Sequence, residues 1–129
     1  MDQKQLEEGT EEALQFEKRG GTLAVVVQNI ETGEVLMVGY TNREAFDLTV
    51  RSGYAHFFST SRKRLWKKGE TSGDLIEICD IRVDCDQDAL VYRVRPIGEG
   101  VCHTTGSNGK HRPTCFYRRL AGAALQKLP

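Results

Sequence analysis

Hydrophobic residues alternate with polar ones over most of this chain, and two segments follow a helical period instead. The acidic segment 2–17 carries apolar residues at helical spacing, which predicts an amphipathic helix at the start of the chain. A second, shorter helix is predicted over 42–51, because Thr41 is followed three residues later by Glu44, as in a capping box. Gly53 is the predicted end of that helix, since glycine commonly follows the last helical residue.

The other apolar positions are typical of strands. Alternation and β-branched runs predict strands over 23–28, 35–38, 54–59, 75–85, 89–97 and 115–120. Segments 59–73 and 98–113 lack an apolar period and are predicted as loops. Short turns between neighbouring strands favour antiparallel pairing. The predicted fold class is therefore α+β and strand-rich, mainly antiparallel, with an N-terminal helix and one further short helix in a single domain, 1–129.

Composition narrows the class of protein. The chain has 129 residues, 39% hydrophobic and 28% charged, which suits one globular domain with its own core. The longest strongly apolar run, 23–27, is too short to span a membrane, and the acidic start lacks the pattern of a secretory signal. Eighteen basic residues balance eighteen acidic ones, which disfavours a general nucleic-acid binder. We therefore expect a cytoplasmic protein with no membrane or nucleic-acid partner.

Three aspartates at alternate positions are the first candidate for chemistry: Asp84, Asp86 and Asp88. If the preceding strand continues through them, their side chains project from one face and Cys85 projects from the other. Three carboxylates on one face repel one another unless a hard cation such as Mg²⁺ or Ca²⁺ lies among them. An acidic, solvated turn without a metal is the alternative interpretation.

Four cysteines form the second candidate, and no two of them make a Cys-x-x-Cys pair. They are Cys79, Cys85, Cys102 and Cys115. Cys79 lies in the middle of a predicted strand, so we expect it in the core. The other three could supply thiolates to a softer ion such as Zn²⁺, with His103 or His111 as further ligands. Buried apolar thiols are the alternative, and His103 could instead transfer protons.

Segment 59–73 combines a dense positive cluster with hydroxyl groups and glycines. Arg62, Arg64 and Lys68 are among its cations, and donors of this kind can hold an oxyanion. Trp66 offers a ring face on which a nucleobase could stack. The alternatives are a solvated basic loop and a nucleic-acid patch. Together with the two metal candidates, the segment indicates metal-assisted hydrolysis of a phosphorylated, base-containing substrate.

Several blocks of sequence, in order within about 23–119, resemble the phosphoribosyl-AMP cyclohydrolase family of histidine biosynthesis in its single-function form. The blocks are Ser61-Arg62, Leu65 to Gly73 (LWKKGETSG), Asp84 to Leu90 (DCDQDAL), Cys102 to Thr104 (CHT) and Cys115 to Arg118 (CFYR). The resemblance implies hydrolytic opening of the adenine ring of phosphoribosyl-AMP between ring nitrogen 1 and the six-position carbon. It also implies an intertwined homodimer whose zinc ligands come from both subunits.

The same resemblance implies roles for individual residues. The implied magnesium ligands are Asp84, Asp86 and Asp88, and the implied zinc ligands are Cys85, Cys102 and Cys115. His103 corresponds to the catalytic histidine. The implied substrate-binding residues are Arg62, Arg64, Trp66, Lys68, Gly69, Glu70, Ser72 and Gly73.

The chain departs from the family pattern between its last two cysteines. The stretch 103–114 is several residues longer than is usual there, so Cys115 is less firmly matched than Cys85 or Cys102, and His111 is an alternative zinc ligand. Other functional classes are a zinc-stabilised module without catalysis and a domain that binds small phosphates or RNA. A nucleobase deaminase is disfavoured, because the chain lacks the His-x-Glu and Pro-Cys-x-x-Cys signature.

Overall fold

The computed structural model describes all residues from Met1 to Pro129. In chain order the elements are α1 (Gln3–Glu8), β1 (Leu23–Asn29), β2 (Val35–Thr41), α2 (Arg43–Ser52), β3 (His56–Ser59), β4 (Arg64–Lys67), β5 (Ile76–Val83), β6 (Ala89–Pro96), β7 (Arg118–Ala121) and β8 (Ala124–Lys127). A short 3₁₀ turn, Glu17–Arg19, precedes β1. Neither helix is long and apolar enough to cross a membrane.

Four strands form the central sheet in the order β2-β1-β6-β5. β1 pairs antiparallel with β2, and β5 pairs antiparallel with β6, as their short connections predict. β1 and β6 are parallel, a pairing between strands far apart in sequence that no local pattern could predict. β3–β4 and β7–β8 are separate antiparallel pairs. The predicted strand-rich α+β class with mainly antiparallel sheet is confirmed.

The core lies on the inner face of the central sheet. Leu23, Val25 and Val27 alternate inward from β1 and are fully buried. Tyr92 of β6 and Phe57 of β3 join the same cluster, with ring centroids 6.3 Å apart. Burial of each such side chain stabilises the fold by about 1.5–3 kcal/mol. This core fixes β6, and both candidate metal regions lie at the two ends of that strand.

Helix α2 begins one residue later than a cap at Thr41 would place it. Its N-cap is Asn42, whose side chain accepts a hydrogen bond from the backbone N–H of Ala45 at 2.9 Å. The predicted capping box is therefore wrong, because Thr41 ends β2 and is fully buried. Gly53 ends the helix in the left-handed conformation (φ 80°), as predicted.

The N-terminal helix is much shorter than the predicted 2–17. The second half of that segment is not helical because Gln87, which follows β5, engages its backbone. The Gln87 side chain accepts a hydrogen bond from the N–H of Ala13 at 2.7 Å and donates to two carbonyl oxygens of the same segment. Leu14 and Phe16 reach the core from this irregular backbone. A long-range contact therefore overrides the helical period.

Two hairpins differ from their predictions. The predicted loop 59–73 contains β4, which pairs with β3 across a tight turn at Lys63 (φ 51°). Its apolar signal is confined to two residues, too few to show a period. The predicted strand 115–120 begins only at Arg118, and the structure adds β8, whose residues are all exposed.

Cys79 is exposed, so its predicted place in the core is wrong. The register between β5 and β6 shifts between Ile78 and Asp80. Cys79 is therefore the extra residue of a β-bulge, and a bulge breaks the alternation on which that prediction depended.

The outer face of the central sheet is apolar and open. Val38 and Tyr40 of β2 are 47% and 46% exposed. They lie directly opposite Val26 and Ala24 of β1, which are partly buried. An exposed apolar face of this kind is typical of an interaction surface.

Candidate functional site

Asp84, Asp86 and Asp88 gather in the turn that joins β5 to β6. β5 ends before them, so their predicted placement on one strand face is wrong. They nevertheless converge, because one oxygen from each carboxylate lies within 4.8 Å of the others. Gln87 is left-handed (φ 57°), and Oδ1 of Asp84 accepts the N–H of Asp88 at 2.9 Å, which curls the backbone back. We call residues 84–88 the acid turn.

Two cations of the 3₁₀ turn neutralise part of the acid turn. Nζ of Lys18 lies 3.0 Å from Asp88 and 3.2 Å from Asp86, and Nη2 of Arg19 lies 2.6 Å from Asp88. Hydrogen bonds from Lys18 and Arg19 hold the pKa of Asp88 far below its usual range. Partial desolvation and the neighbouring Asp88 carboxylate raise the pKa of Asp84. Three carboxylates facing two cations leave this surface with a net negative charge.

The donor atoms of the acid turn fit a hard divalent cation. Carboxylate oxygens are the ligands that Mg²⁺ prefers in proteins. Asp84 is exposed and Asp86 is partly exposed, so both are accessible from solvent. Because Lys18 contacts both Asp86 and Asp88, a cation that used all three carboxylates would displace it.

The loop after β6 brings Cys102 and Cys115 together across a long intervening stretch, close enough for each thiol to shift the pKa of the other. The N–H of Cys102 donates to the carbonyl oxygen of Arg112 at 3.0 Å. The N–H of Cys115 donates to the carbonyl oxygen of Leu36 at 2.8 Å. The backbone of Cys102 is thus held by the loop itself, and that of Cys115 is held by β2. We call residues 102–115 the cysteine loop.

The two thiols differ in their affinity for a proton. Burial acts to raise the pKa of Cys102, but the hydroxyl and N–H of Thr104, 2.9 and 3.4 Å from Sγ, help lower it overall. Burial and the adjacent Cys102 raise the pKa of Cys115 to about 11. The pair therefore releases one proton more easily than the second. A bound cation would favour release of both, as expected of thiolate ligands.

Cys85 does not join this pair within one chain. It is exposed in the acid turn. The one set of three or more His, Cys, Asp or Glu ligand atoms within 4.8 Å of each other is the acid turn itself. The predicted three-cysteine set is therefore incomplete in a single chain. His111 does not complete it either.

The β3–β4 pair and the residue after it, 56–68, form the basic surface that the sequence predicts, and we call it the basic hairpin. Arg62 and Arg64 are exposed. Trp66 packs against Phe57, with ring centroids 5.1 Å apart, and stays partly exposed. The positive charge of Lys68 acts on Cys115 and opposes the rise of its pKa. The charge at the end of the basic hairpin therefore reaches Cys115.

A tight glycine turn follows β4. The N–H of Gly73 donates to the carbonyl oxygen of Gly69 at 2.8 Å. Gly69 has φ 80°, and a Cβ there would lie 2.3 Å from the carbonyl carbon of Asp74, so a larger residue does not fit. The side chains of Glu70 and Ser72 are exposed at the rim of the turn.

The predicted catalytic histidine and the histidine of the long loop have different surroundings. His103 is exposed beside the buried Cys102. Nδ1 of His111 lies 2.5 Å from Oδ2 of Asp74, a buried carboxylate that also accepts the N–H of Glu99 at 2.8 Å. Burial acts to raise the pKa of Asp74, but these hydrogen bonds lower it overall.

Sequence reasoning missed Asp74, Lys18 and Arg19. For Asp74, the available signal was a single carboxylate directly after the glycine turn. Lys18 and Arg19 directly follow the predicted helix 2–17, whose second half does not form, and no pattern marked them as functional. In both cases the partner is distant in sequence, so no local pattern marks the contact.

Known proteins match this chain over the segments that form the candidate site. A sequence model of the family described as phosphoribosyl-AMP cyclohydrolase matches residues 37–117. A phosphoribosyl-AMP cyclohydrolase of Archaeoglobus fulgidus is 50% identical over 109 residues, 84% of this chain and 94% of that protein. One from Erythrobacter litoralis is 48% identical over 120 residues, 93% of this chain and 90% of that protein. The histidine biosynthesis bifunctional protein HisIE of Aquifex aeolicus is 45% identical over 107 residues, 83% of this chain and 49% of that protein.

The family match includes the basic hairpin, the acid turn and the cysteine loop. The resemblance inferred from short blocks of sequence is confirmed, and the Archaeoglobus and Erythrobacter relatives fit its single-function form. The chain belongs to the phosphoribosyl-AMP cyclohydrolase family.

Proposed function

We propose that this chain hydrolyses phosphoribosyl-AMP in histidine biosynthesis, opening the adenine ring between ring nitrogen 1 and the six-position carbon. The names of its relatives support the activity. The observation that carries the proposal is that one continuous family match, 37–117, takes in the basic hairpin, the acid turn and the cysteine loop. These segments offer a surface suited to phosphate and a nucleobase, and thiolates suited to a metal.

The reaction adds one water and breaks one carbon–nitrogen bond. The water oxygen bonds to the six-position carbon, which the substituent on ring nitrogen 1 makes electrophilic. The bond from that carbon to ring nitrogen 1 then breaks, and the nitrogen takes a proton. The exocyclic amine remains as a carboxamide, so the product is the phosphoribosyl-formimino-aminoimidazole carboxamide ribotide.

Cys85, Cys102 and Cys115 would hold zinc, with Cys85 supplied by a second copy of the chain. Bound zinc supplies an activated water nucleophile near neutral pH. Two observations support sharing between copies. Cys85 is exposed and stands apart from the other two thiols. The open apolar face around Val38 and Tyr40 offers a surface for a homodimer.

His103 would carry protons during the reaction. It is exposed beside Cys102, so it can approach a substrate bound near the cysteine pair. Arg62, Arg64 and Lys68 would hold phosphate groups, and the free part of the Trp66 ring would contact the base. The turn from Gly69 to Gly73, with Glu70 and Ser72 at its rim, would close around the substrate.

The acid turn would hold Mg²⁺ through Asp84, Asp86 and Asp88. Its donors are all carboxylate oxygens, and its net charge is negative even with Lys18 and Arg19 in place. Bound Mg²⁺ would offset phosphate charge on the substrate.

Turnover of phosphoribosyl-AMP by the purified protein tests the proposal. We expect activity that a chelator removes and that zinc and Mg²⁺ restore. AMP is the matched control, because it lacks the second phosphoribosyl group and should stay closed. A folded, zinc-loaded protein that leaves phosphoribosyl-AMP unchanged would contradict the proposal and favour a zinc-stabilised module.

A further inference from the structure

The contact between His111 and Asp74 joins two regions that the proposed reaction needs together. Asp74 directly follows the glycine turn of the substrate surface. His111 lies in the cysteine loop, between Cys102 and Cys115. Their side chains meet with Nδ1 of His111 2.5 Å from Oδ2 of Asp74.

This junction is built from three segments. Oδ1 of Asp74 accepts the N–H of Glu99 at 2.8 Å, and the N–H of His111 donates to Oε2 of Glu99 at 3.3 Å. Gly100 lets the backbones approach, because a Cβ there would lie 2.3 Å from the carbonyl oxygen of His111. Gly69 does the same on the other side of Asp74, as described above.

Burial makes the contact energetically significant. The Asp74 side chain is only 6% exposed, whereas that of His111 is 31% exposed. A buried carboxylate without its partners carries a large desolvation penalty, so Asp74 holds both partners firmly. Surface ion pairs with two exposed partners contribute much less.

The loop is ordered on both sides of this contact. Thr105 and His111 form a β-bridge, and the N–H of Arg112 donates to the carbonyl oxygen of Thr104 at 3.0 Å. The N–H of Cys102 bonds to Arg112, so the position of His111 is transmitted through a few backbone bonds to the thiol. A shift of His111 would therefore move Cys102 and His103 relative to the glycine turn.

We propose that His111 and Asp74 form a clamp that sets the distance between the substrate-binding turn 69–73 and the cysteine loop, with His111 as a positioning residue. The inference rests on the proposed function. His111 is thereby assigned a task other than zinc binding, and it anchors the loop between the two cysteines.

The test compares His111→Ala, His111→Asn and Asp74→Asn, with Lys110→Ala as the matched control because Lys110 is exposed beside His111. The readouts are kcat, KM, zinc content, and amide hydrogen exchange of 69–75 and 98–103. We expect His111→Ala to speed exchange in these segments about tenfold or more, as loss of a charge-assisted hydrogen bond predicts. We expect kcat/KM to fall about 100-fold at unchanged zinc content, because displaced reacting groups lose their alignment.

His111→Asn retains a donor close to the position of Nδ1 and should recover most of both losses. The double change of His111→Ala with Asp74→Asn should be no worse than the more damaging single change, since both remove one contact. Lys110→Ala should behave as the unchanged protein.

Three results would overturn the clamp. One is unaltered exchange in His111→Ala, and another is faster exchange with unaltered kcat/KM. Loss of zinc from His111→Ala would make His111 a metal ligand instead. If the unchanged protein does not turn over phosphoribosyl-AMP, the proposed function fails, and with it the positioning role, while the exchange data still decide whether the contact holds the segments together.

Discussion

The acid turn and the cysteine loop lie at opposite ends of β6, and they gather their candidate ligand atoms in different ways. The acid turn gathers three carboxylates from five consecutive residues and receives Lys18 and Arg19 from the same chain. The cysteine loop gathers two thiols from residues that are distant in sequence, and no third His, Cys, Asp or Glu ligand atom lies within 4.8 Å of both. The proposed magnesium site is therefore complete within one chain, whereas the proposed zinc site needs a ligand from a second copy.

The largest effect should follow from breaking the cysteine loop. Cys102→Ser removes one of two paired thiols, and we expect zinc and activity to be lost together, the activity by more than about 100-fold. Metal analysis and turnover on the same sample test this. Cys79→Ser is the control, because Cys79 is exposed on the bulge of β5. A variant that keeps its zinc would remove Cys102 from the ligand set.

Changing the acid turn should have a smaller effect on the metal requirement. Asp86→Asn removes one charged ligand, so the Mg²⁺ concentration for half-maximal activity should rise about tenfold. Lys18→Ala should shift it the other way, by roughly two- to fivefold, because Lys18 contacts Asp86 and Asp88. Lys4→Ala in α1 is the control. Equal Mg²⁺ dependence in all three variants would exclude the acid turn as the magnesium site.

Gln87→Ala tests whether hydrogen bonds between the acid turn and the N-terminal segment stabilise the protein. The Gln87 side chain satisfies one backbone N–H and two carbonyl oxygens of the N-terminal segment. Its loss should lower the free energy of unfolding by about 1–3 kcal/mol in a urea titration. Gln3→Ala, at an exposed position, should change it little. Matching stability of the two variants would mean that the N-terminal segment does not support the turn.

The smallest effect at neutral pH should come from the core of the strand that joins both regions. The Tyr92 hydroxyl is buried and makes no hydrogen bond of good geometry, although Thr41 and Thr49 are near. Burial raises the pKa of Tyr92 to about 12 from 10.0, so its contribution to stability is present below pH 10 and is lost between pH 10 and 12.

Tyr92→Phe should therefore alter stability by less than about 0.5 kcal/mol at pH 7 and should reduce the alkaline loss by about 2–3 kcal/mol. Unfolding measured from pH 7 to 12 checks both expectations. Tyr40→Phe is the control at an exposed position of the same sheet. An alkaline loss of the same size in Tyr92→Phe would show that other groups cause it.

Local patterns predicted the elements whose signals are local. In the strands that contain Val25 and Tyr92, every second side chain points into the core. Helix α2 ends at Gly53 because glycine readily adopts a positive φ. The second half of the predicted N-terminal helix does not form, because Gln87 takes a backbone hydrogen bond that a helix would use. Gln87 is 74 residues from its partner Ala13. The prediction that Cys79 is buried was wrong, because a bulge shifts the inward–outward alternation of β5 by one residue.

The candidate site residues also divide into those that local sequence patterns identify and those that only tertiary packing brings together. The aspartates at 84, 86 and 88 were identifiable from spacing, although a turn and not a strand brings them together. The cysteines were identifiable by type, but no spacing shows that Cys102 meets Cys115 while Cys85 stays apart. The contact of Asp74 with His111 depends on tertiary packing alone.

The β-bridge between Thr105 and His111 also has a practical consequence. It separates the exposed tip of the loop, 107–109, from the two ends of the loop, which carry the cysteines. Chemistry performed on the tip should therefore disturb the thiols little. A fluorophore or spin label attached there through an introduced side chain would report on events near the cysteine loop in an otherwise unaltered protein.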